Sequence, residues 1–537
     1  ASSPHARPRS SATPGTGALG VFNVRDYGAT GNGVTKDTRA LQAAIDACAQ
    51  AGGGFVFVPA GRFLSGTLTL KSNLTLHLGP GAVLLGSPEA GDYQAKPFPA
   101  RDLDVGGFEV WALLYADGAH NLTIEGSGTI EANGQHFPRV KKHPDSAGGV
   151  RPRALFLKNC RRLRVRDLSI VESSMWSVHL VLCEQVWLEG LQVFTSLIYN
   201  QDGLVLDSCR DAMISGCYVN TIDDAIVIKA SFPQPCADLV ISHCVLTSQC
   251  AAIKFGTQSL GGFRNVSISN CACHDCGLGG VKLITVDGGD LENVVVSNLT
   301  MTNVSAPIFL RLGNRGQDFG FQDVTRPRPV ARLRHVLIHD IRAEVSALER
   351  YPGRRETMRT GATMGIAGLI GHPIEDVVLE NIHVTYPGGG TLEEAQRQDI
   401  PEREANYPEN TTFGVLPAYG LYLRHARGIA LRNIHLELAK PDLRPALISD
   451  DVEHLRISGF SARSHGDEPL IRLRHTRRAT LHDCRPLGAT KTFVRLEGAQ
   501  TDDVVLHGND LREAEISLAR SDAAQARVLL EGNLPRA

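Results

Sequence analysis

Along most of the chain a four-residue unit recurs: an aliphatic residue, a polar one, then usually Gly, Asn, Asp or His, then usually an apolar residue or Cys. Examples are Val165-Arg166-Asp167-Leu168, Leu188-Glu189-Gly190-Leu191, Ile268-Ser269-Asn270-Cys271, Leu379-Glu380-Asn381-Ile382 and Leu481-His482-Asp483-Cys484. Successive anchors from Val165 to Leu530 lie 23 to 28 residues apart, except for three gaps of 42, 41 and 52. Around each anchor apolar residues alternate with polar ones, which is the period of a strand. A unit of about two dozen residues cannot bury its own apolar face and must stack on its neighbours. The pattern therefore predicts an all-β solenoid, a right-handed parallel β-helix from about residue 55 to 533. One helix is expected over 37–51: Asp37 is placed to cap it, Leu41, Ile45 and Cys48 form its apolar stripe, and Gly52-Gly53-Gly54 stops it. Its role is to cover the open end of the coil. A strand is expected over 21–29.

Cysteines keep the same register. Cys160, Cys183, Cys209 and Cys236 lie five residues before an anchor, and Cys217, Cys244, Cys271 and Cys484 three residues after one. Stacked, reduced core thiols account for this placement. Cys271, Cys273, His274 and Cys276 do not have the spacing of paired zinc ligands, and no metal or other cofactor is expected.

Composition adds boundaries. The unbroken repeat makes residues 20–537 one elongated domain, although 537 residues would ordinarily suggest several. Residues 1–19, rich in Ser, Pro, Ala and Gly, read as a disordered leader. A formal net charge of -2 gives no broad electrostatic case for nucleic acid, and no apolar run is long enough for a bilayer. No nucleic-acid or membrane partner is therefore expected; the sequence leaves the oligomeric state open.

The acid/base capacity concentrates in one place. Asn200-Gln201-Asp202-Gly203 is followed 21 residues after Asp202 by Asp223-Asp224, on the next turn of the coil. In register, Leu204, Val205 and Leu206 match Ile226, Val227 and Ile228, then Ile253, Lys254 and Phe255, then Val281, Lys282 and Leu283. Asp202 and Asp224 should stack about 5 Å apart in backbone. Lys254 and Lys282 should point outward beside them, with Trp176 and His179 one coil earlier and Arg311 two coils beyond Lys254. One face would then carry acids, cations and an aromatic, a groove for a sugar chain, an anionic one included, in which Lys254 and Lys282 should bind a negatively charged or richly hydroxylated sugar. Crowded carboxylates raise the pKa of one member, and glycosidic cleavage needs one protonated carboxyl and one ionised carboxylate.

The segment Phe22–Asp37, the helix, and Gly54–Gly61 resemble the opening of pectin-degrading β-helix proteins. Together with Asn200–Lys229 they resemble the family 28 glycoside hydrolases, the polygalacturonase and rhamnogalacturonase family, over about residues 20 to 310. The resemblance implies the pectin-lyase-like fold and a carbohydrate substrate, pectic or related, with no cofactor. It implies Asp223 as general acid, Asp202 and Asp224 as the pair that activates water, Lys229 as the family's following lysine, and inversion at the anomeric centre. The chain departs from the family pattern at three places. Gln201 replaces a Thr, Cys250-Ala251-Ala252 stands where the family has Gly-His-Gly, and Lys282-Leu283-Ile284 stands where it has Arg-x-Lys. A substrate of this class implies a secreted or periplasmic protein.

The three long gaps predict insertions near 313–334, 342–375 and 386–419, the third with an acidic Glu/Arg run. Loops of this length are expected to be lids or binding loops, which here would wall one end of the groove and favour chain-end action, or else coil padding or an oligomer contact. Two alternatives to a hydrolase stay open: a polysaccharide lyase using calcium with Lys254 or Lys282 as base, and a non-catalytic glycan-binding β-helix.

Overall fold

The tetrad's third residue lies in the left-handed backbone region in every repeat. Its φ is 62° at Asp167, 57° at His243, 56° at Asn270, 53° at Asn298, 58° at Asp340, 54° at Asn381, 51° at Asn433 and 53° at Asp483. Gly fills the same position at 190, 216, 459, 508 and 532, with φ of 60° to 64°. Only Gly, Asn, Asp and, less often, His tolerate this conformation cheaply, which explains the composition of the position. Its side chains also stack: Asn298 donates to Asn270 at 2.6 Å, Asn381 to Asp340 at 2.9 Å and Asn433 to Asn381 at 2.8 Å.

The computed structural model describes residues 20–102, 107–137, 149–197, 199–317, 319–321, 328–348, 358–523 and 525–536; the leader expected over 1–19 lies outside them. The chain winds as a right-handed parallel β-helix whose strands join one 40-stranded sheet folded around the coil. Earlier turns supply three short strands, as in Val178–Val181, Glu184–Glu189 and Gln192–Phe194, or Leu204–Asp207, Arg210–Ser215 and Tyr218–Thr221; further along, two of them run together, as in Phe263–Cys276 and Leu291–Val304. Strands pair with their equivalents one turn away, always parallel along the coil. Inward positions form continuous columns. Val178, Leu204, Ile226, Ile253, Val281 and Ile308 stack in register and are all buried.

All twelve cysteines are buried with free thiols. Cys183, Cys209 and Cys236 each donate to a carbonyl of the coil before, of Leu157, Leu180 and Leu206 at 3.3, 3.4 and 3.7 Å. Burial pushes the Cys183 and Cys236 thiols up. Cys273 and Cys276 point into the core while His274 contacts Thr247 and Asp275 outside, so this segment does not converge on a metal.

The helix spans Thr38–Gln50, buries Leu41, Ile45 and Cys48 against the first coils, and ends at glycines with φ of 91°, 125° and 151°. Two local expectations need correction. Asp37 occupies the N-cap position but does not cap; its carboxylate accepts from Thr30 N and Oγ1 and Gly31 N at 2.7, 3.0 and 3.0 Å, tying the preceding loop down. The strand expected over 21–29 stops at Asn23, because the Asn23 side chain accepts from Arg25 N and turns the chain into a short 3-10 helix, Val24–Tyr27.

The long gaps flank one sheet of the coil. The first follows strand Ile308–Leu312; the second and third precede strands Met364–Ala367 and Leu421–Leu438. The second gap therefore contains strand residues at both its ends, 342–345 and 374–375. The third runs from 387 to 420 and lays Ile400, Phe413, Leu416 and Ala418 on the outward side chains Ile284, Val286, Phe309, Tyr422 and Ile448 of that sheet.

Candidate active site

Asp202 and Asp223-Asp224 occupy equivalent turns, each just before a strand of the flanked sheet: Leu204–Asp207 and Ile226–Ala230. Gly203 N donates to Asp224 O at 3.0 Å and Ser177 N to Asp202 O at 2.8 Å, so the turns stack coil on coil. The stacking explains Gly203: a Cβ there would lie 2.4 Å from the Ala225 carbonyl oxygen. Gln201 is buried where the family has Thr; its side chain accepts from Leu197 N at 2.9 Å and donates to Ser173 O, holding the turn.

The paired aspartates have different partners. Asp224 Oδ1 accepts from Ala251 N and Oδ2 from Lys254 Nζ, both at 2.9 Å. Asp223 accepts from Asn200 N at 3.1 Å and Asp224 N at 3.0 Å, and among the described residues no cation lies within ion-pair distance of it. The Lys254 contact gives Asp224 an ion-pair partner at 2.9 Å. Asp224 is almost wholly buried and Asp223 only partly, so Asp223 is the member more open to a ligand. Cys250 stands where the family has its histidine region; its Sγ and the two carboxylates lie within 4.8 Å of one another. A hard calcium ion takes six to eight oxygen ligands, and a thiol beside two aspartates does not supply them.

The outward column of this sheet reads His179, Val205, Val227, Lys254, Lys282, Phe309 in register. The sequence register is thus reproduced residue for residue. Three residues do not reach the groove, however. His179 is fully buried between Phe98, Phe156 and Trp176, with Nε2 3.9 Å from Asp207 Oδ2, so it is a packed histidine. Trp176 lies buried between Lys229 Nζ, 4.5 Å from its ring centroid, and Arg153, at 5.1 Å; its faces are occupied. Arg311 is buried over Phe413 and donates to the carbonyls of Ala367, Gly368 and Glu402, because the third insertion closes over it. Lys229 is also buried and donates to Gln258 at 2.9 Å.

Lys254 and Lys282 do lie beside the acids, and the third insertion meets them. Glu409 accepts from Lys254 Nζ at 2.9 Å through Oε1 and from Lys282 Nζ through Oε2, while Tyr407 OH sits 3.3 Å from Lys254 Nζ. Burial pushes the Glu409 carboxyl up, but the two ammonium groups outweigh it and hold it down at about 2. The lysines differ accordingly. Burial lowers both, but Asp224 and Glu409 together carry Lys254 well above its usual value, whereas burial and the like charge of Lys254 keep Lys282 lowered despite Glu409 and the more weakly felt Asp224. Glu409 and Tyr407 are not recognisable from sequence. The acidic run in the insertion is the only signal, and nothing local tells which carboxylate folds back over 155 residues to Lys254.

Two stacked turns thus bring three aspartates together on one face of a parallel β-helix. Residues 48–314 match the model for glycosyl hydrolases family 28, and the chain is a divergent member of that family. It is 27% identical over 312 residues to "Probable polygalacturonase" of Vitis vinifera, covering 54% of this chain and 62% of that protein. It is 24% identical over 392 residues to "Exo-poly-alpha-D-galacturonosidase" of Dickeya chrysanthemi, covering 61% and 64%. The chain thus spans less than two thirds of these relatives. The crystal structure of an exopolygalacturonase from Thermotoga maritima has the same fold, with a TM-score of 0.59 at 21% identity over 80% of this chain and 93% of that one.

Proposed function

We propose that the protein is a glycoside hydrolase that cleaves a pectic or related plant polysaccharide by inverting, carboxylate-based acid/base catalysis. The observation that carries this reading is the pairing of Asp223 and Asp224 one coil from Asp202, with Asp224 ion-paired to Lys254 and, among the described residues, no cation at ion-pair distance from Asp223. Asp223 protonates the glycosidic oxygen; Asp224 and Asp202 orient and deprotonate the water. The relatives named for polygalacturonan support the pectic substrate class. Action from a chain end is part of the proposal: the third insertion covers the sheet on one side of the acids, and one relative is named as an exo enzyme. Export to the medium or periplasm follows from the substrate class. Calcium-dependent elimination is disfavoured by the Asp223–Asp224–Cys250 donor set.

The test is digestion of a panel of pectic polymers and oligosaccharides, with product sizing and NMR of the newly formed anomer. New reducing ends, short products from the start and an inverted anomer are expected. An unsaturated product absorbing in the ultraviolet would replace this reading with a lyase, and binding without turnover would replace it with a glycan-binding protein.

A further inference from the structure

Glu409 takes the position that an acidic sugar would need. In the outward column the neighbours of Lys254 and Lys282 are apolar: Val205 and Val227 on one side, Phe309 on the other. Two ammonium groups on such a face require a counter-charge. They could receive it from a ligand carboxylate, but the chain supplies its own. The Glu409 carboxylate bridges both nitrogens, one oxygen to each, as a uronate carboxylate would. It is also built in. The neighbouring Asn410 is buried and donates to Ser305 Oγ at 3.0 Å and Gly361 O at 2.8 Å. Thr412 N donates to Glu409 O at 2.9 Å and Thr412 Oγ1 to Tyr407 O at 2.9 Å, closing a tight turn. Upstream, Arg311 and Arg424 bind the loop at Glu402 and Ile400. With Asp224 the cluster holds two carboxylates against two lysines, so both of its positive charges are already matched.

We propose that Glu409 is a specificity-determining residue: it neutralises Lys254 and Lys282, so the sugar unit lying over Asp224 must be uncharged, whether a neutral glycosyl residue or an esterified uronate. A free uronate there meets Glu409 and Asp224 as like charges. The proposal rests on the glycan-processing assignment of this groove, and it specifies the charge of the unit the groove accepts. Tyr407, half exposed above Lys254, adds an aromatic edge and a hydroxyl suited to such a unit.

The test compares three forms of one galacturonan oligosaccharide: the free acid, its methyl ester and its carboxyl-reduced galactosyl form. Each is measured for turnover and for calorimetric binding to the wild type, Glu409→Gln and the double variant Lys282→Gln/Glu409→Gln. The wild type is expected to favour the two neutral forms. Glu409→Gln should shift the preference toward the free acid by roughly tenfold or more, through KM and Kd. The double variant, which loses a cation with the acid, should lose most of that gain. It also guards against a fold effect in the single variant, since its charge balance is restored. A wild type that prefers the free acid, or an unchanged preference in Glu409→Gln, overturns the proposal. If no form is hydrolysed but the binding preference shifts as described, the charge rule stands and the hydrolase assignment fails. If none of the three forms binds any variant, the rule fails as well.

Discussion

Asp224 accepts hydrogen bonds from Lys254 and a backbone N–H, whereas Asp223 accepts from the backbone N–H groups of Asn200 and Asp224 and stands nearer solvent. Glycoside cleavage asks for one proton donor and one group that stays ionised. Asp223→Asn keeps the shape and removes the transferable proton. Its rate should fall by about 10²–10⁴, with little change in Tm. Asp202→Asn and Asp224→Asn should be as severe, and the losses should not add. A substrate with a good leaving group should rescue Asp223→Asn alone, and near-normal turnover of a natural glycoside by that variant would move the acid elsewhere. Glu409 gives a second expectation. Its carboxyl is held below the ordinary 4.5, near 2. A depressed carboxyl stabilises the fold above its unfolded value, and that contribution is lost as pH falls through the window from 4.5 toward 2. Wild type and Glu409→Gln should therefore differ in stability by roughly 2–4 kcal/mol at neutral pH. The gap should close as denaturation is followed from pH 5 to pH 2.5. A gap independent of pH would mean that the Glu409 charge is not what the lysines lean on.

The turns explain what the sequence could and could not disclose. The tetrad's third position is legible because only Gly, Asn, Asp and His occupy it, and all share one backbone need. A second left-handed column, three residues before each anchor, is not. It holds Asp211, Asp238, Asn265, Asn293, His335, Asp376, Gly428, His454 and Asp503, but Arg162, Gln185 and Arg478 share it, with φ from 52° to 70°, and these three blur the composition that marks the tetrad. The acids are legible for a similar reason: their spacing is one coil, so register alone stacks them. Glu409 is not, because its place depends on how a long insertion folds back. Burial of His179, Trp176 and Arg311 is also hidden, since alternation assigns a side chain to a face but not what covers that face. An expected outcome belongs to this scale. Asn298→Val places a β-branched residue at φ of 53° and removes the 2.6 Å bond to Asn270. It should cost about 1–2 kcal/mol or more in urea unfolding. Asn298→Gly should remain within about 1 kcal/mol of wild type, and equal losses for the two would sink the backbone explanation.

For the whole molecule the coil is a row of repeated contacts in which every turn leans on two neighbours. The thiols report on its integrity. All twelve are buried, so a membrane-sized or small polar thiol reagent should label none of them in the native state and all twelve after denaturation. Rapid labelling of any native thiol would mean that a turn opens locally. The three insertions leave this row intact and, among the described residues, flank one sheet of the coil. Glu409 belongs to the third of them and lies outside residues 48–314, the stretch that the family model matches. That stretch holds the three aspartates, whereas the proposed charge rule resides in a loop outside it. Under that rule, two chains alike across the matched stretch would still differ in diet if this loop differed.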